Sequence, residues 1–174
     1  ACAAGVITLE DAVRIVVLRG RLMQEAAGLG KMAAIGLSVD EAEELVAPYQ
    51  DRLVVAAHNS PCATVLSGDP EALEAALSAL DSRRVFRRVL PGDVAFHSPQ
   101  MDRASRDLHH RMRDLCTHPA RVRLFSSVTG CLAQEGEFGA AYWGRNARAR
   151  VRFASAARAM IEDGCDVFLE IAPH

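Results

Sequence analysis

The sequence predicts an α/β protein carrying a small ferredoxin-like insert, and two patterns support this. Apolar runs of strand length alternate with amphipathic runs of helical length along the 174 residues. Within residues 31–90 the predicted order is βαββαβ, the split-βαβ arrangement. A unit of about 60 residues makes a compact subdomain. It would interrupt a larger one formed by residues 1–30 and 91–174.

Each element has its own local reason. Thr8-Leu9-Glu10-Asp11 is a capping start for a helix running to about Ala27 and stopping at Gly28. Lys31–Leu37 reads as a short apolar strand. Ser38, with Glu41 three residues on, opens a helix that ends near Pro48. Arg52–His58 and Cys62–Ser67 are rich in β-branched residues and meet at the turn signature Asn59-Ser60-Pro61. Asp69-Pro70-Glu71 starts the next helix, because Asp caps and Pro suits the first helical position. Arg84–Leu90 is a further strand. Beyond it, Asp102–Cys116 predicts a helix, Val122–Val128 a strand, and Val151–Glu162 a helix capped by Gly164. Val167–Ile171 reads as a last strand of a parallel sheet covered on both faces.

Composition narrows the function classes. Half the residues are apolar and the net charge is −2, which offers no electrostatic basis for nucleic acid or an anionic membrane. No apolar run approaches the roughly 18 residues needed to span a bilayer. The expected location is cytoplasmic. Ala1-Cys2-Ala3-Ala4-Gly5-Val6 lacks the basic start of a signal peptide and an initiator Met, as expected of a chain cut from something longer. Five widely spaced cysteines with no C-x-x-C pair speak against a disulfide framework or a zinc site. Lys31 is the only lysine, which together with abundant Ala suggests a GC-rich genome.

Two residues stand out chemically. His97 follows the strand-like segment ending at Leu90 and the break Pro91-Gly92, and Pro99 then redirects the chain. A histidine can take and give a proton near neutrality, and strand-to-helix junctions are where α/β proteins keep their sites. Ser98 beside it reads as a turn or cap residue rather than a dyad partner, since adjacent side chains diverge. His109, His110 and His118 lie in polar, Arg-rich surroundings and read as surface. Arg19 falls within the apolar arc of the first helix, among Ala12, Ile15, Val16, Leu22, Met23 and Ala26, whereas Arg14, Arg21, Glu10 and Glu25 share an exposed face. A buried guanidinium needs an anion. A carboxylate of the protein, a ligand carboxylate, or a snorkelling stem would each satisfy it.

The chain resembles the acyltransferase domain of modular type I polyketide synthases, itself similar to malonyl-CoA:acyl-carrier-protein transacylase. The segments that carry the resemblance are Ala3-Ala4-Gly5-Val6-Ile7-Thr8-Leu9-Glu10-Asp11-Ala12, Leu18-Arg19-Gly20-Arg21-Leu22-Met23-Gln24, Asn59-Ser60-Pro61 and Leu66-Ser67-Gly68-Asp69. Ala95-Phe96-His97-Ser98, Ser127-Val128-Thr129-Gly130, Tyr142-Trp143 with Asn146, and Leu169-Glu170-Ile171-Ala172-Pro173-His174 complete them, in order across the whole chain. The resemblance implies a partial α/β-hydrolase-like large subdomain with a ferredoxin-like small one. It implies a serine nucleophile in a G-H-S-x-G elbow. That motif is absent here and is expected just before Ala1, so the chain is truncated after the elbow.

By the same resemblance His97 is the general base, and Arg19 holds the free carboxylate of an extender unit. The implied reaction is two acyl transfers through an acyl-serine, from coenzyme A to an acyl carrier protein, with no metal or other cofactor. Malonyl-CoA, the carrier protein, and the ketosynthase and other domains of the same polypeptide are the implied partners. Val94-Ala95-Phe96-His97 takes the place of a motif that usually reads H-A-F-H for malonyl and Y-A-S-H for methylmalonyl. Phe96 favours malonyl and Val94 matches neither. A methylmalonyl or other extender transferase, an acyl hydrolase on the same scaffold, and a non-catalytic ferredoxin-like docking module are the alternatives. Asn59 and His174 lie in motifs but are given no catalytic role. The sequence departs from the family at Ala149-Arg150, where a proline is common, and at Ala172, where Ser is usual.

Overall fold

The computed structural model describes residues 1–171. It opens on helix α1 (Leu9–Gln24), capped by Thr8, whose side chain accepts from the Asp11 N–H. The chain then enters a four-stranded sheet of β1 (Lys31–Ile35), β2 (Leu53–Ser60), β3 (Ala63–Gly68) and β4 (Arg87–Val89). Helices α2 (Val39–Val46) and α3 (Pro70–Ser78) lie between these strands in the chain. The lateral order is β2-β3-β1-β4 with every neighbour antiparallel, for example Ala33 opposite Leu66 and Ala34 opposite Arg88.

Why these residues fold this way is visible in their caps and their alternation. Ser38 and Glu41 form the full capping box of α2, and Asp69 caps α3 through the Ala72 N–H ahead of Pro70. Ala33, Ile35, Leu53, Val55 and Leu66 point to one face of the sheet and close a core with Ala42, Val46, Leu73 and Ala76 of the two helices. Between Val55 and Ala57 the pairing with β3 slips by one residue, a bulge at the edge strand of the sheet. After it, Ala56 and Ala57 join Val65 and Val151 on a different, smaller cluster.

The regular structure in the rest of the chain is mainly helical. A short 3-10 turn (Pro99–Met101) leads into α4 (Asp102–Arg111), followed by α5 (Ala140–Arg148) and α6 (Phe153–Glu162). Ile15, Leu22 and Met23 of α1 meet Ala104, Leu108 and Met112 around α4, and Tyr142 and Ala147 of α5. A two-stranded hairpin, β5 (Phe125–Ser126) with β6 (Cys131–Leu132), turns at Gly130, which has φ +79°.

Three sequence expectations are corrected. The strand expected at Val122–Val128 shrinks to two residues, because only Phe125 and Ser126 find a partner in β6. Val167–Ile171 is not a strand: no strand among the described residues pairs with it, and Leu169 and Ile171 are 83% and 89% exposed. Without a ladder its unpaired backbone groups turn to water. Val16, expected in the buried arc of α1, is 69% exposed beside Val13 and Val17, so that arc is covered only on its Ile15–Leu22 side. Helix α5 lies where no element was expected. The charged face of α1 is as read, with Arg14 paired to Asp114 at 2.8 Å.

Candidate functional site

His97 stands on the connection between the antiparallel sheet and α4, and the local chain explains its pose. Ser98 is fully buried; its hydroxyl donates to the Ala95 carbonyl at 2.7 Å and accepts from the Gln100 N–H. This makes Ser98 the N-cap of the Pro99–Met101 turn, as its sequence position indicates. The stretch just before it is clamped to the chain entering the sheet. The Asp93 carbonyl accepts from the N–H groups of both Gly28 and Gly30, and the Gln100 side-chain amide donates to the Leu29 carbonyl. A Cβ on Gly30 would stand 2.4 Å from the Ala95 Cβ and 2.8 Å from its nitrogen, so this crossing needs glycine. His97 itself has φ +58°, a left-handed conformation that costs a non-glycine residue energy.

The imidazole is oriented by one hydrogen bond. Nδ1 lies 2.8 Å from the backbone carbonyl of Ala149, at the C-terminal end of α5. A carbonyl oxygen can only accept, so Nδ1 carries the proton and Nε2 is left with a free lone pair. Burial holds the pKa of His97 below the ordinary imidazole value; the Ala149 bond opposes this, and the positive charge of Arg19 adds to the lowering. The Ala149 acceptor thus fixes the tautomer of the neutral imidazole, and burial disfavours its charged form.

Arg19 is partly buried, and burial lowers its pKa. Its Nε is shielded from solvent and has no hydrogen-bond partner among the described residues. A guanidinium in that state is a standing demand for an anion. The internal carboxylate that sequence reasoning left open is not found among the described residues. Phe96 and Val94 are both half-buried, packed against the core formed by α1, α4 and α5. The structure therefore brings Arg19 within electrostatic reach of His97 and sets Phe96 and Val94 on the same connection. Asn59 is exposed at the far end of β2, while His174 lies outside the described residues. His109, His110 and His118 are exposed.

One participant was invisible in the sequence. The acceptor that fixes His97 is a backbone carbonyl, and such a group leaves no residue signature. The only hint was the departure at Ala149-Arg150. The Ala149 loop is held from several sides. Arg148 Nε reaches Asp102 at 2.5 Å, the Arg152 N–H donates to the Ser127 carbonyl, and Val151 exchanges two backbone bonds with β2, to Ala56 O and from His58 N. Ser127 belongs to the hairpin turn that Ser126 stiffens by accepting from the N–H groups of Val128 and Thr129.

Comparison with known proteins gives the family. The family model described as the acyl transferase domain matches residues 1–174. Erythronolide synthase EryA2 of Saccharopolyspora erythraea is 42% identical over 98% of the chain, and polyketide synthase GfsA of Streptomyces halstedii is 41% identical over 100% of it. The chain spans only 5% and 2% of those two proteins. Among solved structures, the acyltransferase domain from module 8 of the salinomycin polyketide synthase superposes with a TM-score of 0.90 at 32% identity, covering 94% of this chain and 38% of that one. Malonyl CoA-acyl carrier protein transacylase from Clostridium perfringens superposes with a TM-score of 0.91 at 28% identity, covering 99% of this chain and 56% of that one. Matched end to end by one family model and over nearly its whole length by polyketide synthase relatives of 41% and 42% identity, the chain belongs to the acyl transferase domain family.

Proposed function

We propose that this chain is part of an acyltransferase domain that loads an extender unit from coenzyme A onto an acyl carrier protein within a modular polyketide synthase. The single observation that carries the proposal is the pairing of His97, with Nε2 free, and Arg19, with a buried unpartnered Nε. In this reading residues 31–90 form the ferredoxin-like small subdomain, and residues 1–30 and 91–174 belong to an α/β-hydrolase-like large one. The partners are the carrier protein, coenzyme A esters, and the ketosynthase and other domains of the same polypeptide, in the cytoplasm.

The steps follow from the two side chains. His97 Nε2 takes the hydroxyl proton of a serine contributed by a segment other than residues 1–174 as that oxygen attacks the thioester carbonyl. The proton passes to the departing coenzyme A sulfur, and an acyl-serine ester remains. Arg19 meanwhile pairs with the free carboxylate of the acyl group through its guanidinium fork. The pantetheine thiol of the carrier protein then gives its proton to His97 and attacks the ester, and His97 returns the proton to the serine oxygen. One thioester is consumed and one is formed, so the balance needs neither a redox partner nor a metal.

Malonyl is the proposed extender. Phe96 is half-buried against the α1–α4 core and precedes His97 directly; in this reading its ring beside the base leaves less room for an α-methyl group. Discrimination by one methyl is worth about 1–3 kcal/mol. Steady-state kinetics of the intact domain with malonyl-CoA and methylmalonyl-CoA test the reading. A kcat/KM ratio of about ten or more in favour of malonyl is expected from that energy; a preference for methylmalonyl would remove Phe96 from the argument. Failure of any acyl group to transfer to the carrier protein, with free acid released instead, would assign the domain to the hydrolases.

A further inference from the structure

The orientation of His97 depends on where the Ala149 carbonyl points, and that carbonyl sits in a loop the antiparallel sheet grips by an unusual device. Arg150 follows Ala149 directly. Its Nε donates to the Val55 carbonyl at 3.0 Å, and its terminal guanidinium nitrogen pairs with the Glu43 carboxylate of α2. The next residue, Val151, donates its N–H to the Ala56 carbonyl at 2.8 Å. Val55 and Ala56 are consecutive, and in a regular strand consecutive carbonyls face opposite ways. Here they serve consecutive residues of one loop, because the ladder between β2 and β3 slips between Val55 and Ala57. Bulges at sheet edges near active sites re-aim groups in this manner.

We infer that Arg150, seated on the β2 bulge and on Glu43, is a positioning residue for the base: it fixes the Ala149 carbonyl and, through it, the imidazole of His97. Arg150 touches neither substrate nor the reacting atoms. It acts at one remove, by deciding whether Nδ1 keeps its acceptor and Nε2 its aim. The arrangement also couples the small sheet to the chemistry, since Glu43 on α2 and Val55 on β2 both lie outside the chain segments that carry His97 and Arg19. Arg148 restrains the other side of Ala149 through Asp102 at the start of α4. Beside the backbone bonds of Val151 and Arg152, the carbonyl is therefore flanked by two arginine contacts, one to each half of the molecule. Removing the Arg150 side chain frees one of them.

The inference rests on His97 being the base of the proposed transfer, and its test separates the two. Arg150→Ala, Arg150→Lys and Glu43→Gln are made in the intact polypeptide that contains this chain. Transfer kinetics are measured alongside the 15N imidazole signals of His97. Misplacing a catalytic group by an ångström costs up to about a hundred-fold; a partial loosening in Arg150→Ala is expected to lower kcat about ten-fold, with KM for the acyl-CoA changed less than about two-fold. The same variant is expected to lose the Nδ1–H signature of a single hydrogen-bonded tautomer. Arg150→Lys, which keeps the charge but replaces the planar fork with a single ammonium, is expected to fall between. Wild-type kcat and an unchanged His97 signature in Arg150→Ala would overturn the inference. Should Arg150→Ala fail to fold, Glu43→Gln decides, because Glu43 is half-exposed and belongs to neither core: lowered kcat at constant KM supports the coupling, and no change in kcat or signature overturns it. If His97→Ala retains full transfer, the functional reading falls, yet the imidazole signature of Arg150→Ala still reports on the positioning.

Discussion

At the scale of single residues, His97 and Arg19 are tied electrostatically as well as spatially. Burial first, and the Arg19 charge second, disfavour the imidazolium, so the His97 pKa lies below the ordinary value of about 6.5. A base is active when unprotonated, hence the acidic limb of kcat/KM is expected below pH 6.5, and a pH–rate profile on the intact domain checks it. Arg19→Ala removes one of the two depressing causes. Its acidic limb, followed with acetyl-CoA, should move up in pH while burial keeps it from passing the ordinary value. The same variant should lose malonyl transfer by about a hundred-fold or more, since truncating one partner of a buried charge pair costs about 3–5 kcal/mol. Malonyl kinetics that survive Arg19→Ala would sink the carboxylate assignment. Stability follows the same sign. A histidine whose folded pKa is depressed contributes nothing adverse above about pH 6.5 and destabilises the fold as pH falls from there through the folded pKa. Both residues were legible in the sequence by type and position, one as a strand-end histidine and the other as a charge in an apolar arc. The Ala149 acceptor was not, because hydrogen bonding by a backbone carbonyl is independent of the side chain it belongs to.

At the scale of elements, caps and crossings decide what was readable. The helices opened by Thr8, Ser38 and Asp69 begin where their hydrogen-bonding side chains predict, because capping is a local interaction carried by three or four adjacent residues. Helix α5 escaped notice for the complementary reason. Gly139 at its start offers no side-chain cap, and its stability comes from Tyr142, which packs at 4.4 Å from the Phe138 ring and accepts from the Ser126 hydroxyl. Those partners are tertiary. The strand at Val167–Ile171 failed on the same principle, since apolar sequence cannot supply a neighbouring ladder. Gly30 gives this scale its own test. Its close approach to Ala95 joins the chain entering the sheet to the chain that leaves it for His97. Gly30→Ala places a methyl into occupied space and should cost about 1–3 kcal/mol, seen as a lower denaturant midpoint of the intact domain. It should also lower kcat, because the Ala95 backbone that must retreat lies two residues from His97, the proposed base. A stable variant with normal kcat would show that the crossing is slack.

The whole molecule divides into regions of unlike completeness. The antiparallel sheet is sealed by α2 and α3, with Ala33, Ile35, Leu53, Leu66 and Leu80 almost fully buried. The other region leaves apolar surface open in three places: Leu9, Val13, Val16 and Val17 along one stripe of α1, Phe153 and Ile161 on α6, and Val167, Phe168, Leu169 and Ile171 after it. Singly, exposed apolar residues are ordinary, but this many in contiguous groups mark surface that is normally covered. Solved relatives supply a scale for the cover, since the chain spans 38–56% of the salinomycin domain and the Clostridium perfringens transacylase. Three outcomes follow for a polypeptide of residues 1–174 expressed alone. Its amide hydrogens should exchange slowest in β1, β2 and β3 and fast in α1 and α6, where the apolar face has no partner to resist local opening. Its thermal unfolding followed by circular dichroism should be broad, and size-exclusion chromatography should show self-association through the open faces. A sharp cooperative transition from a monomer, with α1 as protected as β1, would mean that the packing of α1 on α4 and α5 suffices by itself, and that the open stripe carries no structural debt.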